Sequence, residues 1–251
     1  MTSLRLPKAL LLDFSGVIVD APAVPQTPGA LITRLRDLTG DTVPTEKMER
    51  DLIEGTNSYS RWRNAASEQG HPSELRHTEV FDRFITGTWP EAAREQVRSQ
   101  AADLCYSWTY QPDWEVLPGI SELLDVADAR NIPTAIVSNT LCGAAHRGFL
   151  RDAGLGDRFA AQLYSNEIGI RKPNPAFALM AARELGHSIH DCWLIGDSLS
   201  RDIACARRAD CGAAILVHSP RANRETGPGI EPDVRLDGST ALPSLLTDAG
   251  R

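Results

Sequence analysis

Residues 9–18 read ALLLDFSGVI, a short apolar run that ends in an aspartate, with a glycine three residues further on. An apolar run this short, closed by Asp13 and Gly16, predicts a buried β-strand that delivers Asp13 to a loop at its carboxyl end. Ligand sites of open α/β sheets lie at those carboxyl ends, so Asp13 is placed like a nucleophile. Position 15, which holds a serine, bears on how good a catalyst the chain can be.

Residues 113–251 alternate between strand-like apolar runs and helical patterns. The runs lie at 134–137, 192–195 and 213–217, with a weak strand at 233–236, and the helical patterns at 119–130, 142–153, 175–186, 200–209 and 241–248. Strands that alternate with helices indicate βαβ units. We therefore predict an α/β fold, a Rossmann-like parallel sheet with helices on both faces.

Residues 21–112 have a different pattern. Helix-like stretches dominate, at 28–39, 44–54, 57–69, 73–86 and 90–108. The proline-rich segment 21–28 indicates a stiff linker, and 111–113 forms a second break. We predict an all-helical cap domain, residues 21–112, inserted into an α/β core domain formed by residues 1–20 and 113–251.

Composition narrows the class of protein. The chain has 251 residues, 42% hydrophobic and 24% charged, and a net charge of −7, which argues against a nucleic-acid groove. No apolar stretch has membrane-spanning length, and residues 1–8 lack the pattern of a signal peptide. Five cysteines without a C-x-x-C pair indicate reduced thiols and disfavour a zinc site. We expect a cytoplasmic protein, as a monomer or homodimer.

Residues suited to phosphate chemistry recur near the ends of the predicted core strands. They are Asp13, Ser138 with Asn139, Lys172, and Asp197 with Asp202. A hydroxyl and backbone N–H groups at 138–139 can hold an anionic oxygen, and Lys172 puts a positive charge just before a proline-started helix. Two acids five residues apart on a strand-to-helix loop suit an oxygen-ligated cation such as Mg²⁺.

Together these groups predict one reaction on a small phosphorylated substrate. Mg²⁺ held by Asp13 and Asp197 would offset the repulsion between the Asp13 carboxylate and a phosphate dianion. Ser138 and Lys172 would stabilise charge on the phosphoryl oxygens. Asp13 would attack phosphorus in line and form an aspartyl phosphate, which water would then hydrolyse.

The chain resembles the haloacid dehalogenase-like (HAD) superfamily over its whole length. Residues 13–17 look like the family's first motif, Ser138-Asn139 the second, Lys172-Pro173 the third and 196–202 the fourth, all in the family's order. Residues 21–112 are similar to the helical cap that one large subgroup inserts after the first strand.

The resemblance implies the roles of individual residues. Asp13 would be nucleophile and metal ligand, and the backbone carbonyl of Ser15 would also bind the metal. Asp197 would be the main carboxylate ligand of the fourth motif, with Asp202 a second, water-mediated or direct partner.

Ser15 departs from the family pattern. Phosphatases of this type usually carry a second aspartate there, which protonates the leaving oxygen and later activates water. A serine hydroxyl does not ionise near neutral pH, and general acid–base help is worth roughly 10²–10⁴-fold in rate. We expect a slow phosphatase, one whose leaving group or cap supplies the proton, or a catalytically silent descendant.

Alternative functions remain open from the sequence. A dehalogenase of small haloacids needs no general acid, which would explain a serine at position 15. Such relatives do not need Mg²⁺, however, so the predicted metal site argues against this function. A non-catalytic binding or regulatory protein is the third option.

In the cap, Arg61-Trp62-Arg63 suggests binding of a phosphorylated ligand. At most one of the two arginines can face the site, and Arg61 is assigned to substrate binding. The aromatic residues at 108–114 are interpreted as hinge packing, and the histidines are assigned no chemistry.

Overall fold

The computed structural model describes residues 4–20, 29–219 and 229–250. Six strands form one parallel sheet in the order β3-β2-β1-β4-β5-β6. They are β1 (Ala9–Leu12), β2 (Thr134–Ser138), β3 (Ala161–Tyr164), β4 (Cys192–Gly196), β5 (Ala213–Val217) and β6 (Val234–Leu236). The central strand β1 pairs with β2 and β4, and Leu12 lies opposite Ile136 and Ile195. The carboxyl ends of these three strands therefore meet at one edge.

Helices cover both faces of the sheet, as a parallel sheet requires. The helices of the core are α6 (Ile120–Ala129), α7 (Gly143–Asp152), α8 (Ser165–Ile168), α9 (Pro175–Glu184), α10 (Ala204–Ala209) and α11 (Leu242–Asp248). Alternate residues of β1 point to opposite faces: Leu10 and Leu12 pack with α6, α7 and α11, whereas Ala9 and Leu11 pack with α9 and α10. This architecture confirms the predicted α/β fold with helices on both faces.

The chain between β1 and β2 contributes a helical insert, residues 29–109. Its helices are α1 (Gly29–Thr39), α2 (Thr45–Ser67), α3 (His77–Phe84), α4 (Glu91–Ser99) and α5 (Ala101–Thr109). They enclose an apolar cluster of their own, which includes Leu31, Phe81 and Trp108. The predicted division into a cap at 21–112 and a two-part core stays a prediction, and the linker at 21–28 lies outside the described residues.

Several element boundaries differ from the sequence-based predictions. The two helices predicted at 44–54 and 57–69 are one helix, α2, in which Gly55 permits close packing: a Cβ there would lie 2.4 Å from the Phe84 carbonyl oxygen. The predicted helix 90–108 is broken at Gln100, where φ is −113° and ψ is 13°. Strand β3 was not predicted, because this short edge strand is only partly buried and has no long apolar run.

A short backbone pairing joins the insert to the core. The Glu74 N–H donates to the Gly169 carbonyl at 2.9 Å, and the Arg171 N–H donates to the Pro72 carbonyl at 3.3 Å. A buried ion pair follows directly, with Arg171 Nη1 3.0 Å from Glu74 Oε1 and both side chains 2% exposed. The insert is therefore fixed to the loop that carries Lys172. In the described parts of the chain, no helix has the length and apolar character needed to cross a bilayer.

Candidate active site

A tight turn after β1 positions Asp13. The Asp13 N–H donates to the Ile195 carbonyl at 2.9 Å, which fixes the end of β1 against β4. The chain then reverses, and the N–H groups of Ile18 and Val19 donate to the Phe14 carbonyl. Gly16 has φ +84°, a left-handed conformation that favours glycine. A Cβ at this position would also lie 2.2 Å from a carboxylate oxygen of Asp197. Both the backbone conformation and this close approach therefore require glycine.

Three buried aspartates converge at this edge of the sheet. One carboxylate oxygen from each of Asp13, Asp197 and Asp202 lies within 4.8 Å of the others. Asp197 follows β4 and accepts a hydrogen bond of 2.7 Å from the Ser219 hydroxyl. Asp202 lies in a π-helical turn, Leu199–Ile203, and accepts a 3.0 Å hydrogen bond from the Ser198 N–H. The prediction that residues 13, 197 and 202 lie together agrees with this geometry.

Lys172 lies between two of these carboxylates. Its Nζ is 2.9 Å from Asp13 Oδ1 and 2.5 Å from Asp202 Oδ1, and it donates to the Val137 carbonyl at 2.6 Å. Burial alone would lower the pKa of Lys172, but the two carboxylates outweigh it and raise the pKa above its usual value. The lysine is therefore a permanent cation beside Asp13.

Asn139 positions Lys172 through the backbone. The Lys172 N–H donates to Asn139 Oδ1 at 2.8 Å, and Asn139 Nδ2 donates to the Lys172 carbonyl at 2.9 Å. Ser138, at the end of β2 and 2% exposed, lies beside Asn139 at the same edge. The second and third predicted motifs thus meet the first.

The charge balance of the cluster suits a divalent cation. Burial raises the pKa of Asp202, Lys172 opposes this effect, and the charges of Asp13 and Asp197 raise the pKa further. Three carboxylates outnumber the single ammonium group among them, and buried like charges at this separation are costly. Carboxylate oxygens are the ligands that Mg²⁺ prefers, so the donor set fits this ion.

A small cavity of about 40 Å³ opens onto Asp13, and we call it the inner cavity. Ser15, Ser138 and Asn139 contribute to its wall. Its charged lining residues are Asp13, Asp202, Arg63, Arg171, Lys172 and Arg201. The lining thus carries four cations and two acids, although Arg171 is also paired with Glu74, which lies outside the lining.

A larger cavity of about 210 Å³ lies between the insert and the core, and we call it the outer cavity. Ser15, Arg63 and Asn139 line both cavities, so the two adjoin. Other walls of the outer cavity are Tyr59, Trp108, Trp114, Thr140 and His146. Trp108 and Trp114, interpreted from the sequence as hinge packing, therefore also form cavity walls.

The assignment of Arg61 to substrate binding needs correction. Arg61 is exposed, donates to the Ser58 hydroxyl at 2.9 Å and lines neither cavity. Arg63 lies about 200° further round the same helix and lines both. Its guanidinium donates to the Ser60 hydroxyl at 3.2 Å and lies 5.0 Å from the centre of the Tyr59 ring.

Sequence reasoning missed several residues of this region. His146 is 3% exposed, stacks on Phe14 with ring centres 3.9 Å apart, and has Nε2 3.1 Å from Thr140 Oγ1. Burial lowers the pKa of His146 to about 3, so the ring is neutral near pH 7. Arg171 could have been suspected from its place beside Lys172, whereas nothing in the local sequence marks His146.

The parallel sheet with these four motifs gathered at one edge is typical of a class of hydrolases. The model of the haloacid dehalogenase-like hydrolases matches residues 7–210, and the chain belongs to this family. The match confirms the resemblance drawn from the motifs and the prediction that the protein is an enzyme.

The chain is similar to named phosphatases. It is 27% identical to a phosphoglycolate phosphatase from Pectobacterium atrosepticum over 154 residues, 60% of this chain and 63% of that protein. It is 30% identical to a phosphoserine phosphatase from Thermus thermophilus over 123 residues, 49% of this chain and 48% of that protein. The matches thus span about half to two thirds of these curated relatives.

A solved structure shares the fold over nearly the full length. The 2-haloacid dehalogenase from Pseudomonas syringae pv. tomato superposes with a TM-score of 0.65 at 19% identity, covering 96% of this chain and 98% of that one. At this identity the likeness concerns the fold alone.

Proposed function

We propose that the protein is a Mg²⁺-dependent hydrolase of a small phosphate monoester that works through an aspartyl-phosphate intermediate. The observation that carries the proposal is the convergence of Asp13, Asp197 and Asp202 around Lys172 beside the inner cavity. The similarity to phosphatases that act on phosphoglycolate and phosphoserine supports a phosphate ester as substrate.

Each of these residues has a role in the proposed reaction. Asp13 attacks phosphorus, the P–O bond to the leaving group breaks, and water later cleaves the aspartyl phosphate to release inorganic phosphate. Lys172 and Ser138 stabilise the phosphoryl oxygens, and Lys172 also holds Asp13 Oδ1, which orients the other carboxylate oxygen for attack. Asp13, Asp197, Asp202 and the Ser15 carbonyl would hold Mg²⁺, which supplies charge neutralisation between nucleophile and phosphate.

Ser15 sets the expected rate. It lines both cavities, where a leaving-group oxygen would lie, but it offers a hydroxyl in place of a carboxylic acid. Without general acid–base help the turnover number falls by roughly 10²–10⁴-fold. Substrates with good leaving groups, such as acetyl phosphate, should therefore react faster than alkyl phosphates.

The test is metal-dependent phosphate release by the wild type and by Asp13→Asn. We expect release with Mg²⁺, none in EDTA, and none from the variant. Asp210→Asn is a matched control, because Asp210 is an exposed aspartate at φ +60°, a conformation that asparagine accepts.

Three outcomes would contradict the proposal. They are full activity of Asp13→Asn, halide release from haloacids in EDTA, and stoichiometric metabolite binding without any turnover.

A further inference from the structure

The ammonium group of Lys172 is fully occupied by protein oxygens. It carries three N–H groups. Three oxygens lie close to Nζ: Asp13 Oδ1 at 2.9 Å, Asp202 Oδ1 at 2.5 Å and the Val137 carbonyl at 2.6 Å. Lys172 therefore contributes positive charge to a bound phosphoryl group, whereas N–H donors for the phosphoryl oxygens have to come from other residues.

Arg171, the residue before Lys172, has donors to spare. Its side chain is 2% exposed and lines the inner cavity, as Asp13 does. A guanidinium group has five N–H groups. Among the described residues, Nη1 donates to Glu74 Oε1 at 3.0 Å, and Nε is buried without a hydrogen-bond partner. A buried donor without a partner is costly, so an anion in the inner cavity that accepts from Arg171 is favoured.

Glu74 holds Arg171 in place from the helical insert. Its Oε1 accepts from Arg171 Nη1, and its Oε2 accepts a hydrogen bond of 2.7 Å from the Ser165 hydroxyl. The guanidinium also lies 5.1 Å from the centre of the Trp62 ring. The backbone pairing between the two segments fixes the main chain of both partners. Arg171 is therefore oriented before a substrate binds, which is the condition for donors that stabilise a transition state.

We propose that Arg171 is a further catalytic residue, which donates hydrogen bonds to the phosphoryl group, and that Glu74 is the residue that positions it. The proposal rests on the proposed phosphatase function and adds two residues to its site. The transferring phosphoryl group spreads its charge over three oxygens, and a guanidinium group can contact two of them at once. The insert then takes part in catalysis, because its glutamate orients an arginine of the core.

Arg171→Gln tests the contact through two measurements, turnover of acetyl phosphate and binding of inorganic phosphate, both with Mg²⁺. We expect kcat to fall by roughly 10²–10³-fold, the usual effect of removing a donor to a developing charge. The Kd for inorganic phosphate, from calorimetric titration, should rise by about 10- to 100-fold. Arg171→Lys keeps the charge and should restore part of the phosphate affinity.

Arg147→Gln is the matched control. Arg147 is also an arginine of the core that pairs with a glutamate, Glu167, and its guanidinium lies 4.6 Å from the centre of an aromatic ring, that of Tyr164. It lines neither the inner nor the outer cavity. This variant should keep the kcat and the phosphate affinity of the wild type. Thermal unfolding checks that each variant is folded at the assay temperature.

A double variant tests whether Glu74 acts through Arg171. Glu74→Gln alone should weaken phosphate binding, but less than Arg171→Gln does, because the guanidinium remains. Added to Arg171→Gln, it should change the phosphate affinity by less than about twofold, since the two residues act as one unit. The double variant leaves neither charge buried without its partner. A second loss as large as that of Glu74→Gln alone would show independent action and overturn the positioning role.

An Arg171→Gln variant that differs from the wild type only in thermal stability would overturn the proposal and leave the phosphatase function intact. Failure of the phosphatase function would appear instead as no phosphate release from acetyl phosphate by the wild type. Phosphate binding then decides. Weaker binding by Arg171→Gln than by the wild type supports the contact, and equal binding, or no binding by either, refutes it.

Discussion

Burial of a neutral His146 should make the fold lose stability in mild acid. The pKa of His146 falls from 6.5 to about 3 because the ring is buried, against Phe14 and beside Thr140. The unfolded chain therefore takes up a proton at a higher pH than the folded chain does. The stabilisation is fully present above pH 6.5 and is lost progressively as the pH falls toward 3.

The size of this loss follows from the shift in pKa. Each pH unit below 6.5 costs about 1.4 kcal/mol, so at pH 5 the free energy of unfolding is lower by about 2 kcal/mol than at pH 8 through this residue alone. Urea unfolding of the wild type and of His146→Gln at both pH values isolates that contribution, because the other titrating groups are common to both.

His71→Gln, which removes an exposed histidine, should keep the wild-type pH dependence. If His146→Gln and the wild type lose the same free energy of unfolding between pH 8 and pH 5, His146 is not buried in its neutral form.

Three further changes test other parts of the structure. Ser15→Asp should raise the turnover number on alkyl phosphates by up to roughly 10²–10⁴-fold in steady-state assays; no gain would mean that another group already performs the acid role. Glu74→Gln leaves the Arg171 guanidinium buried without its carboxylate. Urea unfolding should show a free energy of unfolding that is lower by about 3–5 kcal/mol. A loss under about 1 kcal/mol would contradict a buried ion pair. Gly16→Ala introduces both backbone strain and a clash with the Asp197 carboxylate, so Mg²⁺-dependent activity should collapse. Gly186→Ala, at φ +73° in open space, is the control and should lower stability only. Equal activity of the two variants would contradict the close approach of Gly16 to Asp197.

The sequence predicted the fold and the convergence of the site for one physical reason. Asp13, Ser138 and Asp197 each follow an apolar run, and parallel strands in one sheet bring their carboxyl ends to the same edge. Local order along the chain was therefore enough to place these residues together. The edge strand β3 was missed because a half-exposed strand of four residues has little apolar periodicity.

The parts that could not be predicted depend on packing between distant segments. Whether Arg61 or Arg63 faces the cavities depends on how α2 is rotated against the core, which helix periodicity alone does not determine. The stacking of His146 on Phe14 and the pairing of Glu74 with Arg171 join residues that are more than 90 positions apart in the sequence. No local pattern marks such partners.

Trapping the covalent intermediate tests the proposed role of Asp13 most directly. The wild type is mixed with acetyl phosphate and Mg²⁺, quenched in acid within the first turnover, digested and analysed by mass spectrometry. We expect one added phosphoryl group on the peptide that contains Asp13, absent in EDTA and in Asp13→Asn. Phosphate release without any phosphorylated Asp13 peptide, or a phosphoryl group on another residue, would contradict it.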